Sequence, residues 1–189
     1  MKSIESNLTR LLNYMTNHNT GVITAFRSEY SYRENLQRNR SLLSKLFYSR
    51  YSVTAVRGVY IENFATNDAK EISATIFFVT DIKHKKTLEK DLRKLGEEFE
   101  PDSILFIPSP GNRAYLWGTN QSQYPGYGKV KKFSQLNINS FDEFMTKIQG
   151  SPFIFESIKE HIPTPTGFFG RWSVSHYAKQ NWRDMEDIE

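Results

Sequence analysis

Polar side chains gather at the predicted ends of strands and at the predicted start of a helix. The positively polarised start of that helix, near Arg27 and Arg33, could hold a phosphate or a carboxylate. Glu62 and Glu71 could instead hold a divalent cation, because hard cations take oxygen ligands. All these groups could also simply cap helices and pair with one another. The candidate ligand-binding residues are Arg27, Asn35, Arg38, Asn39, Glu62, Glu71 and Asp102.

A second set of candidates lies in a segment that interleaves aromatic and basic side chains. Unpaired bases stack on aromatic rings, and basic groups bind the phosphates between them. The chain contains no octamer of the kind found in RNA-recognition domains, and the segment could pack over the sheet instead. The nucleic-acid candidates are Tyr124, Tyr127, Lys129, Lys131 and Lys132.

Familiar catalytic motifs are absent from the sequence. We find no G-x-S-x-G, phosphate-binding loop, H-E-x-x-H or dinucleotide fingerprint. The chain has no cysteine, which excludes disulfides and thiolate zinc sites. The four histidines are scattered, and His176 with Arg171 offers the one alternative phosphoester site. We therefore predict no cofactor and no resident metal.

Six predicted elements position these residues in the order strand, helix, strand, strand, helix, strand. The helical segments are Ser31 to Tyr48, with the capping-box pair Ser31 and Glu34, and His84 to Phe99. That order predicts an α+β, ferredoxin-like βαββαβ core, in which two helices lie on one face of an antiparallel sheet. One edge of such a sheet would gather the ligand-binding candidates. The predicted strands are Gly21 to Phe26, Ser52 to Glu62, Glu71 to Thr80 and Ser103 to Ile107.

The third and fourth predicted strands are apolar on both faces, which indicates a sheet covered on both sides. We expect residues 113–189 to supply the second cover. The sequence therefore predicts one domain over 1–189, with a core over 20–108. An N-terminal helix over 3–18 and an extension over 109–189, ending in a helix, elaborate that core.

Charge is distributed unevenly along the chain. The formal net charge is +4, yet residues 1–57 carry nine Lys/Arg and only three Asp/Glu. Such a basic segment attracts polyanions, or is a solvated surface. No apolar run is long enough to span a membrane, so we expect a cytoplasmic protein without a membrane partner.

An ordered set of residues resembles an uncharacterised family of small bacterial and bacteriophage proteins, over roughly residues 20–156. The resemblance implies a prokaryotic or phage cytoplasmic protein and no catalytic residue. It depends on Asn35, Arg38, Asn39 and Leu42, on Gly58 to Glu62, and on Leu95, Gly96, Phe99 and Asp102 to Leu105.

Three functions remain open at this point. The first is a binding protein without catalysis that engages nucleic acid through the basic first third and the Tyr/Lys segment. The alternative is a phage accessory protein that binds and modulates a host protein. The second alternative is a metal-dependent nucleotide or phosphoester enzyme that uses Glu62 and Glu71, or His176 and Arg171. The oligomeric state is undetermined.

Overall fold

The computed structural model describes residues 4–136 and 151–155, which form three helices and seven strands. The helices are α1 (Ile4–Asn17), α2 (Tyr32–Tyr48) and α3 (Leu88–Phe99). The strands are β1 (Thr20–Ile23), β2 (Ser52–Glu62), β3 (Lys70–Thr80), β4 (Ser103–Ile107), β5 (Arg113–Gly118), β6 (Val130–Ser134) and β7 (Phe153–Phe155).

All the strands belong to one antiparallel sheet in the order β6-β5-β4-β1-β3-β2-β7. Its inner part, β4-β1-β3-β2, contains the four strands predicted from the sequence. The α+β prediction with an antiparallel sheet is therefore confirmed. The description as a ferredoxin-like core with two helices is too simple, because three further strands widen the sheet and a third helix packs on it.

The first core helix begins where its sequence indicates. Ser31 is extended and its side chain accepts a hydrogen bond from the Glu34 N–H, while the Glu34 carboxylate accepts one from the Ser31 N–H. This reciprocal pair satisfies two backbone donors that the helix start would leave unpaired. The second core helix begins at Leu88, four residues later than predicted, because His84 and Lys86 have positive φ angles that interrupt a helix.

Two hydrophobic cores lie on opposite faces of the sheet. One contains the apolar stripes of α2 and α3 against Ile23, Phe77 and Val79, and the other contains Phe78 with Leu11 and Met15 of α1. The predicted burial of both faces is confirmed. In the described chain α1 contributes to the second cover, and β5, β6 and β7 widen the sheet. That residues 113–189 supply this cover stays a prediction, because residues 137–150 and 156–189 lie outside the described ones. The helix predicted to end the extension lies outside the described residues.

None of the helices that the structure describes is both long and apolar enough to cross a bilayer.

Leu92→Ala tests the packing of α3. Leu92 is fully buried, and its truncation should lower the free energy of unfolding by about 2–5 kcal/mol, because the removed methyl groups leave a cavity. Urea denaturation measures the change. Lys94→Ala is the control on the exposed side of the same helix and should shift the value by less than about 0.5 kcal/mol. Equal effects of the two changes would contradict this packing.

Candidate functional site

Charged side chains from three separate elements meet at one end of the sheet. Arg27 and Ser28 follow β1, Glu62 ends β2, and Asp102 precedes β4. We call these four residues the carboxylate cluster. The Glu62 and Asp102 side chains each expose only 3% of their surface, and that of Arg27 exposes 16%. Charged groups are seldom so buried without partners of opposite charge, and here the residues of the cluster are partners for one another.

Glu62 is bound on both of its carboxylate oxygens. Oε1 lies 2.6 Å from Nε of Arg27 and accepts a hydrogen bond from the Ser28 N–H at 3.1 Å. Oε2 accepts a hydrogen bond from the Ser28 hydroxyl. The Arg27 Nε–H has no aligned acceptor, so its short contact is a pairing of charges rather than a directed hydrogen bond. Ser28 is exposed and binds both oxygens of the Glu62 carboxylate, so it lies between that carboxylate and solvent.

Asp102 joins the cluster to a neighbouring loop. Its Oδ1 accepts a hydrogen bond from the Asn120 amide at 2.9 Å and lies 3.7 Å from Nη1 of Arg27. Its Oδ2 accepts one from the Asn63 N–H at 2.5 Å. The Asp102 N–H in turn donates to the Tyr60 hydroxyl at 2.7 Å. Burial, and then the charge of Asp102, raise the pKa of Tyr60 well above its ordinary value, so this phenol stays neutral.

The cluster carries an excess of negative charge. One guanidinium faces two buried carboxylates, and the exposed Glu29 approaches the same guanidinium at 4.0 Å. Arg27 also donates to the carbonyl of Glu100, just beyond α3, where the helix dipole is negative. In a poorly solvated position this excess favours a bound cation.

The asparagines predicted to form a ligand-binding face hold the backbone of the segment after β1. The Asn39 amide accepts from the Ala25 N–H and donates to the Thr75 carbonyl, both at 2.8 Å. The Asn35 amide accepts from the Arg27 N–H and donates to the Arg27 carbonyl, again at 2.8 Å each. These bonds fix where Arg27 and Ser28 stand.

Arg38 bridges the same segment to the end of α3. Its Nε donates to the Ala25 carbonyl at 3.0 Å, and Nη2 donates to the carbonyl of Phe99. The guanidinium also lies 4.3 Å from the centre of the Tyr30 ring. Arg38 therefore positions backbone rather than facing the carboxylates.

Glu71 is separated from the cluster. The register of the β2–β3 hairpin pairs Glu71 with Ile61 and Glu62 with Lys70, so the two glutamates point to opposite faces. Glu71 is exposed whereas Glu62 is buried. The prediction of a cation held between these two carboxylates is therefore wrong. Among the described residues, no three His, Asp or Glu side chains are grouped to hold a metal ion.

The Tyr/Lys segment does not form one surface. It folds back onto β5, where Gly118 donates to the Lys129 carbonyl, and a Cβ on Gly118 would lie 1.8 Å from the Gly126 carbonyl oxygen. Lys131 points with Leu116 toward the α1 side, whereas Lys132 pairs with Tyr115 on the α2 and α3 side. Adjacent residues of a strand point to opposite faces of the sheet. The spacing of the aromatic and basic residues alone did not predict that Lys131 and Lys132 lie in a strand and so face opposite sides.

The tyrosines of this segment contact the rest of the chain. Tyr124 packs on the α1-side core, and its ring lies 5.3 Å from that of Phe64, the residue after Asn63. Tyr127 donates to the Glu97 carboxylate at 3.2 Å. Lys129 is exposed. Tyr124 and Phe64 thus form an aromatic pair next in sequence to Asn63, whose N–H binds Asp102 of the carboxylate cluster.

Three residues of the site were not predicted as candidates. Tyr60 stands two positions before Glu62 in one strand and so shares its face, a signal that was available in the sequence. Asn63 and Asn120 follow the ends of β2 and β5, and nothing in their local sequence indicates that both reach Asp102. His176 and Arg171 lie outside the described residues.

Comparison with known families identifies the class of protein. The model of the S-adenosylmethionine lyase family matches residues 21–156, which is more than half of the chain. The chain belongs to this family. No curated protein sequence matches it.

Family membership corrects two predictions. The range that carries the resemblance, 20–156, is nearly the range matched, but the family is a lyase family rather than an uncharacterised one. The prediction of a binding protein without catalysis, for nucleic acid or a host protein, is therefore wrong. The metal-dependent phosphoester alternative is unsupported too, since its glutamates are separated. Bacterial or phage origin stays a prediction.

Glu62→Gln should lower the free energy of unfolding by about 3 kcal/mol, because it leaves part of the Arg27 charge buried without its partner. Urea denaturation at neutral pH measures the change. Glu71→Gln is the matched control on the opposing strand and should stay within about 0.5 kcal/mol of the unchanged chain. A Glu71→Gln variant as unstable as Glu62→Gln would contradict the register described for the hairpin.

Proposed function

We propose that this protein is an S-adenosylmethionine lyase that binds its substrate at the carboxylate cluster. The supporting observation is that the range matched by the lyase family includes all four residues of the cluster. The cluster, in turn, is the place in the described chain where two buried carboxylates adjoin one guanidinium. The candidates Asn35, Arg38 and Asn39 act as positioning residues in this proposal.

The charge of the substrate matches that of the cluster. S-adenosylmethionine carries a positive sulfonium and a positive ammonium group, and the cluster has a buried negative excess. Electrostatic attraction between them is strengthened where solvent is excluded. Ser28 is the exposed member, and its hydroxyl covers Glu62, so a ligand that approaches from solvent meets Ser28 first.

The chemistry decides which positive group the carboxylates should hold. A lyase that acts on S-adenosylmethionine breaks a carbon–sulfur bond without water. The bonding electron pair stays on sulfur, which leaves as a neutral thioether. The carbon that loses sulfur then forms a new bond in one of two ways. It bonds to an oxygen of the substrate's own carboxylate, which closes a ring, or the neighbouring carbon loses a proton and a double bond forms. In both routes the positive charge on sulfur decreases in the transition state and is gone in the thioether product.

A carboxylate placed against the sulfonium would therefore stabilise the substrate more than the transition state and slow the reaction. The ammonium group keeps its charge throughout, so we assign Glu62 and Asp102 to it. Arg27 holds both carboxylates in place. The aromatic pair Phe64 and Tyr124, with rings 5.3 Å apart, supplies the less polar surroundings in which sulfur loses its charge most readily.

The purified full chain should convert S-adenosylmethionine to 5′-methylthioadenosine without any methyl acceptor. Liquid chromatography with mass detection follows the products, with buffer alone and heat-denatured chain as controls for spontaneous decay. The amino-acid product distinguishes ring closure from proton loss. Consumption no faster than in the controls, or formation of S-adenosylhomocysteine in place of the thioether product, would refute the proposal.

Glu62→Gln and Asp102→Asn should each lower kcat/KM by about ten- to a hundredfold, the value expected for one charge-assisted hydrogen bond. Glu71→Gln is the control and should keep full activity. The assays belong at a temperature at which near-ultraviolet circular dichroism shows each variant folded. Full activity in both folded variants would show that the carboxylate cluster takes no part in the reaction.

A further inference from the structure

A second, oppositely charged surface lies on the other face of the sheet. Tyr115 and Trp117 of β5 point toward the side of α2 and α3, because Ala114 and Leu116, which alternate with them along the strand, belong to the core on the α1 side. Phe106 of β4 pairs with Tyr115, and so does Lys132 of β6. We call Phe106, Arg113, Tyr115, Trp117 and Lys132 the aromatic–basic face.

The helices leave this face open in the described part of the chain. Helix α3 packs mainly over β1 and β4, and α2 packs mainly over β2, so β5 and β6 are less covered than the inner strands. Tyr115 and Trp117 are half-buried and Arg113 is exposed. Helix α3 provides a wall, since the Arg93 guanidinium lies 4.2 Å from the centre of the Trp117 ring.

Two adjoining cavities occupy the face. One, of about 480 Å³, is bounded by Glu89, Phe106, Trp117 and the loop after β4. The other, of about 370 Å³, is bounded by Lys132 and the end of β6. Arg113 and Tyr115 line both. Each volume falls in the usual range for a small-molecule site, and together they suit a nucleotide better than an amino acid.

The charge of the face suits a negative ligand better than the proposed lyase substrate. Among the described residues that border the face, Arg93, Arg113 and Lys132 are positive and Glu89 is negative, so this surface is positive and disfavours the sulfonium and ammonium groups of that substrate. A guanidinium and an ammonium around a cavity are typical of phosphate binding. Aromatic side chains on a sheet are the usual platform for stacking a base.

We propose that the aromatic–basic face is a second binding site, for an adenine nucleotide. The base stacks on Tyr115 and Trp117, and its amino group donates to the Glu89 carboxylate. The phosphate lies between Arg113 and Lys132. The site is distinct from the carboxylate cluster, because Tyr60 and Glu62 belong to the α1 side of the sheet whereas Tyr115 and Trp117 contact the core on the other side. It does not depend on the proposed lyase activity.

Titration of the full chain with AMP tests the site by calorimetry and by tryptophan fluorescence. AMP should bind and quench fluorescence, and Trp117→Phe should abolish the quenching while calorimetry still detects binding. Arg113→Gln and Lys132→Gln should each weaken binding by about tenfold or more, as expected for loss of a charged phosphate contact. Arg57→Gln, at an exposed arginine of β2, is the control and should bind as the unchanged chain does.

Adenosine and inorganic phosphate separate the two halves of the ligand, and each should bind more weakly than AMP. Failure of millimolar AMP to bind the folded chain would overturn the proposal, and so would adenosine binding as tightly as AMP. Displacement of AMP by S-adenosylmethionine would show that the two sites are one and would overturn it too. Glu62→Gln should leave AMP binding intact, so loss of lyase activity and loss of nucleotide binding are separate outcomes.

Discussion

Burial of the Arg27 guanidinium between Glu62 and Asp102 is the constraint on which the rest of this end of the molecule depends. Charges taken out of water are costly unless each one finds a partner, and here the partners come from three places far apart in the chain. The sheet must therefore bring the end of β2 and the start of β4 beside the segment after β1. Hydrogen bonds to the backbone of that segment come from Asn35, Arg38 and Asn39. They restrict the motion of the segment and so keep Arg27 beside the two carboxylates.

Widening of the sheet separates two kinds of surface. Helices α2 and α3 pack mainly over β1, β2 and β4 of the inner sheet. Strands β5 and β6 extend beyond the helices and expose aromatic and basic side chains there, while the negative cluster remains at the sheet end on the α1 side. Because the two surfaces carry opposite charge, a ligand that suits one is repelled by the other.

Local signals in the sequence were sufficient for much of the fold. The capping box at Ser31 and the Leu88, Leu92, Leu95 and Phe99 stripe identified the two core helices, because caps and helical periodicity act over a few residues. The doubly apolar strands predicted burial on both faces, and the order of the elements predicted an antiparallel sheet. Strands β5 and β6 could not be assigned their place in it, since edge pairing depends on residues distant in sequence.

The sequence by itself determined which charged residues stand at strand ends, and so named Arg27, Glu62 and Asp102 as neighbours. It also determined the family, because the lyase family model matches the sequence over residues 21–156, although the ordered pattern first indicated an uncharacterised family. Only the tertiary structure decided that Glu71 is excluded from the cluster and that Asn63 and Asn120 both reach Asp102. The physical reason is that strand register selects the face on which each side chain lies, and one residue of offset moves a carboxylate from a buried ion pair into solvent.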